Sequence, residues 1–188
     1  DHRPTLTATA LPMAFAAEIA AEAATQLCPD RQVIGLPTLK ASSWIHTVDG
    51  PVDLLIVAVK QGDCIAVTLS IHHENKRFPQ LSGPKVHMEA VVQLGDDYPE
   101  APDGPGPLSQ GRPVSLSAND YYTGGHTFHG PSLQGMVELG SRSLAGASST
   151  FRTKPDQRLL GSAAHPFVLD PLLLDTATHP MMSATPEV

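Results

Sequence analysis

Three segments carry side chains that can move protons. The first holds His2, ahead of an alanine-rich stretch; the second runs from Tyr121-Tyr122 to Phe128-His129-Gly130-Pro131-Ser132-Leu133-Gln134; the third is Asp170-Pro171-Leu172-Leu173-Leu174-Asp175-Thr176-Ala177-Thr178-His179-Pro180. An imidazole titrates near neutrality, so His2 suits a general base. Asp175 sits beside three leucines and ahead of Met181 and Met182. Apolar surroundings raise a carboxyl pKa, and a carboxyl that keeps its proton is a general acid. His179 falls four residues on, on the same helix face as Asp175 and within hydrogen-bonding reach of it.

Other chemistries are excluded by spacing. No Gly-x-x-x-x-Gly-Lys-Ser/Thr run is present to cradle a phosphate. The stretch Gly130 to Gly135 is one residue too long for a nucleophile elbow, so Ser132 is not a nucleophile. His72-His73-Glu74 looks metal-binding, but adjacent strand residues point to opposite faces, and a solvated hairpin end is expected there. Cys28 and Cys64 lack metal-ligand spacing and are too few for a disulfide framework. A net charge of −7 with only 12 Lys and Arg argues against nucleic acid as a partner. No apolar run reaches membrane-spanning length, so neither a membrane nor a secretory leader is expected, and the chain reads as cytoplasmic.

The elements that position these residues follow from periodicity. Pro12 to Cys28 predicts a helix opened by Pro12 and stopped by Pro29. Phe15, Ile19, Ala23 and Leu27 recur every fourth residue and define the expected core stripe, with Trp44 also expected in the core. Seven alanines between Ala14 and Ala24 let another surface approach the backbone closely. Leu54 to Val59 is a continuous apolar run, as in a strand covered on both faces. A Gln61-Gly62-Asp63 turn follows, then Cys64 to Ile71 and Val86 to Leu94 alternate with the period of strands. A helix followed by antiparallel strands is an α+β arrangement.

The composition then breaks. Residues 99–113 hold five prolines and no periodicity, and read as a linker between a unit at 1–98 and another at 114–188. Within the second unit, Val114–Leu116, Met136–Leu144 and Ser149–Arg152 are strand candidates, and Pro171 to about His179 is a second helix. Strands that should close this unit after its helix are missing from the sequence, so it is expected to be truncated, with an open sheet edge.

Together the three segments resemble the dehydratase domains of modular and iterative polyketide synthases. In that family a His precedes the helix of the first half, a Gly-Pro-x-aromatic-Gln segment opens the second, and an Asp lies in a Leu-Leu-Asp context. Here Leu6 and Leu11 stand where the family has Gly and Pro, Asp170 where it often has His, and His129 where Tyr is frequent. The resemblance implies a double hotdog, each unit a curved antiparallel sheet wrapped around a central helix. It also implies removal of water from a β-hydroxyacyl thioester carried on an acyl carrier protein, leaving an α,β-enoyl thioester. His2 and Asp175 would be the base and acid, assisted by His179, with Tyr122, His129, Gly130, Pro131 and Pro12 lining the substrate. A free N–H at the start of the alanine-rich helix would polarise the thioester carbonyl. No metal or redox cofactor is implied, since the phosphopantetheine arm arrives with the carrier protein. Neighbouring synthase domains are the other partners, and a homodimer is compatible. Two alternatives stand beside it: a non-catalytic or product-shaping module of the synthase, and a hotdog thioesterase.

Overall fold

The computed structural model describes residues 2–3, 8–48, 50–104, 106, 108–152 and 167–182, the last two without their side chains. Two compact units emerge. One comprises residues 8–100 with 167–169, and the other residues 101–166 and 170–188 together with the N-terminal residues, of which His2 and Arg3 are described. His2 therefore belongs with the second segment and the third, although it begins the chain.

In the first unit, helix α1 (Met13–Leu27) packs on a four-stranded antiparallel sheet. Its strands are β1 (Gln32–Ala41), β2 (Leu55–Gln61), β3 (Cys64–His73) and β4 (Gly83–Gly95), in the order β1-β4-β3-β2. The helix is where periodicity and proline placement put it, but its buried face is not the bulky stripe. Ala16, Ala17, Ala20, Ala21 and Ala24 are buried, whereas Phe15 and Ile19 are only half-buried and Leu27 is exposed. Methyl groups let the helix axis lie close to the sheet, which pushes larger side chains to the flanks. Trp44 is likewise not core, being 43% exposed.

The core beneath the alanines comes from alternate residues of the two inner strands. Ile65, Val67 and Leu69 of β3 and Met88, Ala90, Val92 and Leu94 of β4 are buried, as a period of two requires. Gly62 takes a positive φ of 64° in the β2–β3 turn, where a side chain would strain the backbone.

β2 corrects the expectation for Leu54–Val59. Among the described residues it pairs with β3 alone and forms a sheet edge, with Leu55, Ile56, Val57 and Val59 all exposed. A run of apolar residues reports hydrophobicity on both faces, and it cannot report which strand stands beside it. The opposite edge, β1, had no periodic signal. Gly35 and Pro37 interrupt it, and the register shifts between Val33 and Thr38, an irregularity that edge strands tolerate.

A buried acid anchors a distant piece of chain to this unit. Glu18 of α1 is 3% exposed, and its carboxylate accepts the backbone N–H groups of Val168 at 2.7 Å and Leu169 at 2.6 Å. Burial pushes its pKa up, offset in part by those two N–H donors, while nearby Glu22 pushes it further up.

The second unit holds a three-stranded antiparallel sheet in the order β5-β6-β7. Its strands are β5 (Arg112–Pro113), β6 (Met136–Ser143) and β7 (Gly146–Phe151). Val114–Leu116 is not a strand: the register with β6 ends at Pro113, followed by a single further bond from Val114 N–H to Gly140 O at 2.9 Å. Thus the last residues of the expected linker belong to a sheet. Helices α2 (Ala118–Thr123), α3 (Pro171–Ala177) and α4 (His179–Met182) complete the unit. Of these, α2 had no sequence expectation; Ser117 caps it by accepting the Asp120 N–H. The exposed pair His72 and His73 ends β3, as expected of a solvated strand end.

Candidate functional site

The site is built on one face of α3. Asp170 caps the helix, its Oδ1 accepting the N–H groups of Leu172 and Leu173 at 3.0 Å each, and Pro171 fills the first turn. Helical spacing then places Leu172, Asp175, Thr176 and His179 on the buried side, leaving Leu173 and Leu174 exposed. Asp170→Ala removes the cap and is expected to cost about 1 kcal/mol, read as a lower denaturant midpoint at unchanged slope.

A close contact sets the position of that helix. Thr176 Oγ1 donates to Leu133 O at 3.4 Å, and a Cβ added at Gly135 would stand 2.7 Å from the same hydroxyl and 3.1 Å from its methyl. Thr176 is β-branched and 1% exposed, so it has little room to turn aside. We expect Gly135→Ala to destabilise the fold by about 2 kcal/mol through overpacking. A Gly135→Ala protein as stable as the parent in urea would contradict that contact.

The second segment supplies the opposite wall. His129 pairs with His2 through an isolated antiparallel bridge, and Gln134 Nε2 donates to the His129 carbonyl at 3.0 Å. Gly130 and Pro131 open the 3₁₀ turn Pro131–Leu133, closed by Leu133 N–H to Gly130 O at 2.9 Å. His2 stands edge-on to Phe128, with ring centroids 5.1 Å apart.

His2, His129 and Asp175 are thereby brought together, 7%, 5% and 7% exposed. Each offers a nitrogen or oxygen within 4.8 Å of those of the other two. His129 Nε2 lies 3.4 Å from Asp175 Oδ2, and His179 Nε2 lies 3.5 Å from the same oxygen. His179 is fully buried and packs against the His129 ring at 4.1 Å between centroids.

Met136 N–H donates to the Tyr122 hydroxyl at 3.0 Å, and that hydroxyl is hydrogen-bonded to His179 Nδ1 at 3.0 Å. When the hydroxyl is the donor in that bond, the neutral imidazole carries its proton on Nε2, facing Asp175. Tyr121, itself fully buried, donates its hydroxyl to the His179 carbonyl at 2.7 Å. Burial raises the pKa of both tyrosines, so they remain phenols and donors. Tyr122 thus orients His179; its hydroxyl is committed to protein partners rather than offered to a substrate. His129 Nδ1 is bonded to Thr127 Oγ1. Burial pushes the His129 pKa down to about 4, helped by His179 and His2 and opposed by Asp175, so His129 is neutral at pH 7.

Pro12 belongs to the first unit, buried at the start of α1, where its carbonyl accepts the Phe15 and Ala16 N–H groups and no side chain caps the helix. Leu6 lies outside the described residues, as do the side chains of Met181 and Met182. The roles of Tyr121, Gly135 and Thr176 had no signal in the sequence beyond Tyr121's place beside Tyr122, because each acts on a residue distant along the chain, whereas Thr127 meets His129 only two residues on.

The chain has the fold of polyketide synthase dehydratase domains. It matches the dehydratase domain of the polyketide PpsC from Mycobacterium tuberculosis with a TM-score of 0.69 at 24% identity, over 94% of this chain and 60% of that one. The dehydratase domain from the CurF module of curacin polyketide synthase gives 0.67 at 15% identity, over 96% and 63%. That of RzxB from Pseudomonas fluorescens gives 0.62 at 15% identity, over 93% and 61%. At these identities the likeness is one of fold, and the chain spans about three fifths of the length of those domains. No family model and no curated protein matches it. Among the described residues no helix is long and apolar enough to cross a membrane.

Proposed function

We propose that this protein removes water from a β-hydroxyacyl thioester to give an α,β-enoyl thioester, as a double hotdog acting within a polyketide synthase. The observation that carries the reading is the buried meeting of His2 and Asp175, residues 173 positions apart, on a fold shared with dehydratase domains. Elimination needs a base at Cα and an acid at the Cβ oxygen, both aimed at one substrate.

The proximity of these groups supports the following steps. The His2 imidazole takes the Cα proton, and the electron pair left on carbon forms the double bond as the Cβ–O bond breaks. Asp175, as the carboxylic acid, protonates the departing hydroxyl, which leaves as water. The His179 Nε2–H faces the carboxylate so formed, held there by the Tyr122 hydroxyl. Return of the proton from His2 to Asp175 resets the site. Every step uses protons alone, and the thioester arrives on the phosphopantetheine arm of an acyl carrier protein. Neighbouring synthase domains are the remaining partners, in the cytoplasm.

The test is direct. The protein is incubated with a β-hydroxyacyl chain on a carrier protein, and loss of one water is followed by mass spectrometry. Formation of the enoyl product supports the reading. Release of free acid instead would indicate a thioesterase, and an unchanged substrate a non-catalytic module.

A further inference from the structure

The distances around Asp175 raise a second question, because they are too long for the contacts they resemble. An N–H···O hydrogen bond spans about 2.7–3.2 Å. His129 Nε2 and His179 Nε2 stand 3.4 and 3.5 Å from Asp175 Oδ2. Asp175 Oδ2 and His179 Nε2 are buried and make no hydrogen bond among the described residues. Buried polar atoms are rarely left unpaired, because they lose the hydrogen bonds that water would give them, so a group that satisfies them is expected.

The spacing fits a shared cation. Ligand atoms about 2.0–2.1 Å from a tetrahedral zinc ion lie about 3.3 Å from one another. His129 and Asp175 are already at that separation, and His2 presents a nitrogen within 4.8 Å of both. Two imidazoles and one carboxylate with a fourth position open is a donor set for zinc-class ions, not for magnesium or calcium, which favour all-oxygen shells. The surroundings also fit. Metal-binding histidines usually donate their second ring N–H to an acceptor, and His129 Nδ1 already meets Thr127 Oγ1. His179 Nε2, 3.5 Å from the same Asp175 oxygen, lies beside this donor set and is not one of its ligands.

We propose that His2, His129 and Asp175 form a binding site for one divalent transition-metal ion of the zinc class. A second clause rests on the dehydratase reading: the metal–nitrogen bond uses the His2 lone pair that would take the Cα proton, so a loaded site cannot perform acid–base elimination. No oxidation or reduction is involved; the ion displaces protons from its ligands.

Calorimetric titration of the metal-free protein with Zn²⁺, and visible spectroscopy with Co²⁺ as probe, test the site. The expected result is one ion per chain, visible absorption typical of a low-coordinate Co²⁺ site, and no uptake of Mg²⁺. His129→Phe and Asp175→Asn should each weaken Zn²⁺ binding by on the order of a hundredfold, with thermal melts checking that both variants fold. If either fails to fold, zinc X-ray absorption on the parent must show two imidazoles and a carboxylate. No stoichiometric uptake overturns the proposal. So does uptake that neither substitution weakens, which would place the ion on exposed histidines such as His72 and His73. The second clause expects saturating Zn²⁺ to slow dehydration at least tenfold and a chelator to restore it. If Zn²⁺ binds but the metal-free protein never dehydrates, the dehydratase reading fails and the metal site stands. If dehydration proceeds and saturating Zn²⁺ leaves it unchanged, the switch is refuted.

Discussion

His2→Ala and Asp175→Asn should each slow dehydration by roughly a hundredfold or more. On the proposed mechanism, the first removes the group that would take the Cα proton. The second preserves the shape of the side chain but replaces an acid with an amide that cannot give up a proton at neutral pH. Both residues serve one transition state, so the double variant should be little slower than either single one. Tyr122→Phe is the informative control. It breaks the donation to His179 Nδ1 while leaving the acid and the base in place, so it should alter the pH profile more than it lowers the maximal rate. The assay is the carrier-bound elimination read by mass spectrometry. A His2→Ala protein that dehydrates at the parental rate would remove His2 from the mechanism.

Glu18→Ala should destabilise the first unit by about 3 kcal/mol, a large change for a domain of this size. Its carboxylate is the acceptor for two half-buried N–H groups, at Val168 and Leu169, and alanine leaves both without that acceptor. Glu18→Gln keeps one acceptor oxygen and turns an N–H₂ toward the other donor, so its loss should be smaller but real. The pH dependence has a definite sign. Burial raises the folded-state pKa of Glu18 above its ordinary value of 4.5, so the folded protein holds this proton more tightly than the unfolded chain. The contribution of this group is therefore greatest below pH 4.5 and declines as pH rises through the folded-state value. In Glu18→Gln that decline should vanish. Denaturant melts of parent and variant between pH 4 and 8 measure it, and parallel stability curves for the two would show that Glu18 is not titrating as described.

How much of this was legible depends on how local each cause is. Helix α1 was readable because apolar periodicity and the flanking Pro12 and Pro29 act within a few residues. Strands β3 and β4 were readable for the same reason, since alternation marks a sheet with one covered face. The edge position of β2 was not, because Leu55 to Val59 carry no record of which strand lies beside them. Nor was the buried face of α1. The larger residues Phe15 and Ile19 outweigh alanine on any scale of hydrophobicity, yet close approach of a helix to a sheet selects the smallest side chains. Glu18 looked like part of a polar flank, because its two partners lie 150 and 151 residues away.

The site divides along the same line. The resemblance of the three segments pointed to His2 and Asp175, imidazole and carboxyl chemistry fitted them to proton transfer, and the i, i+4 interval added His179. Spacing also limited α3 to a short helix opened by Asp170 and Pro171. Only the tertiary structure decided that His2 belongs with the second unit, that the Tyr122 hydroxyl is bonded to His179, and that His129 stands beside both His2 and Asp175. Those facts arise from contacts between residues more than forty positions apart, or from one bridge that brings His2 beside His129. Such pairings are selected by how sheets and helices pack, and packing is a sum over many distant contacts that no local stretch of sequence contains.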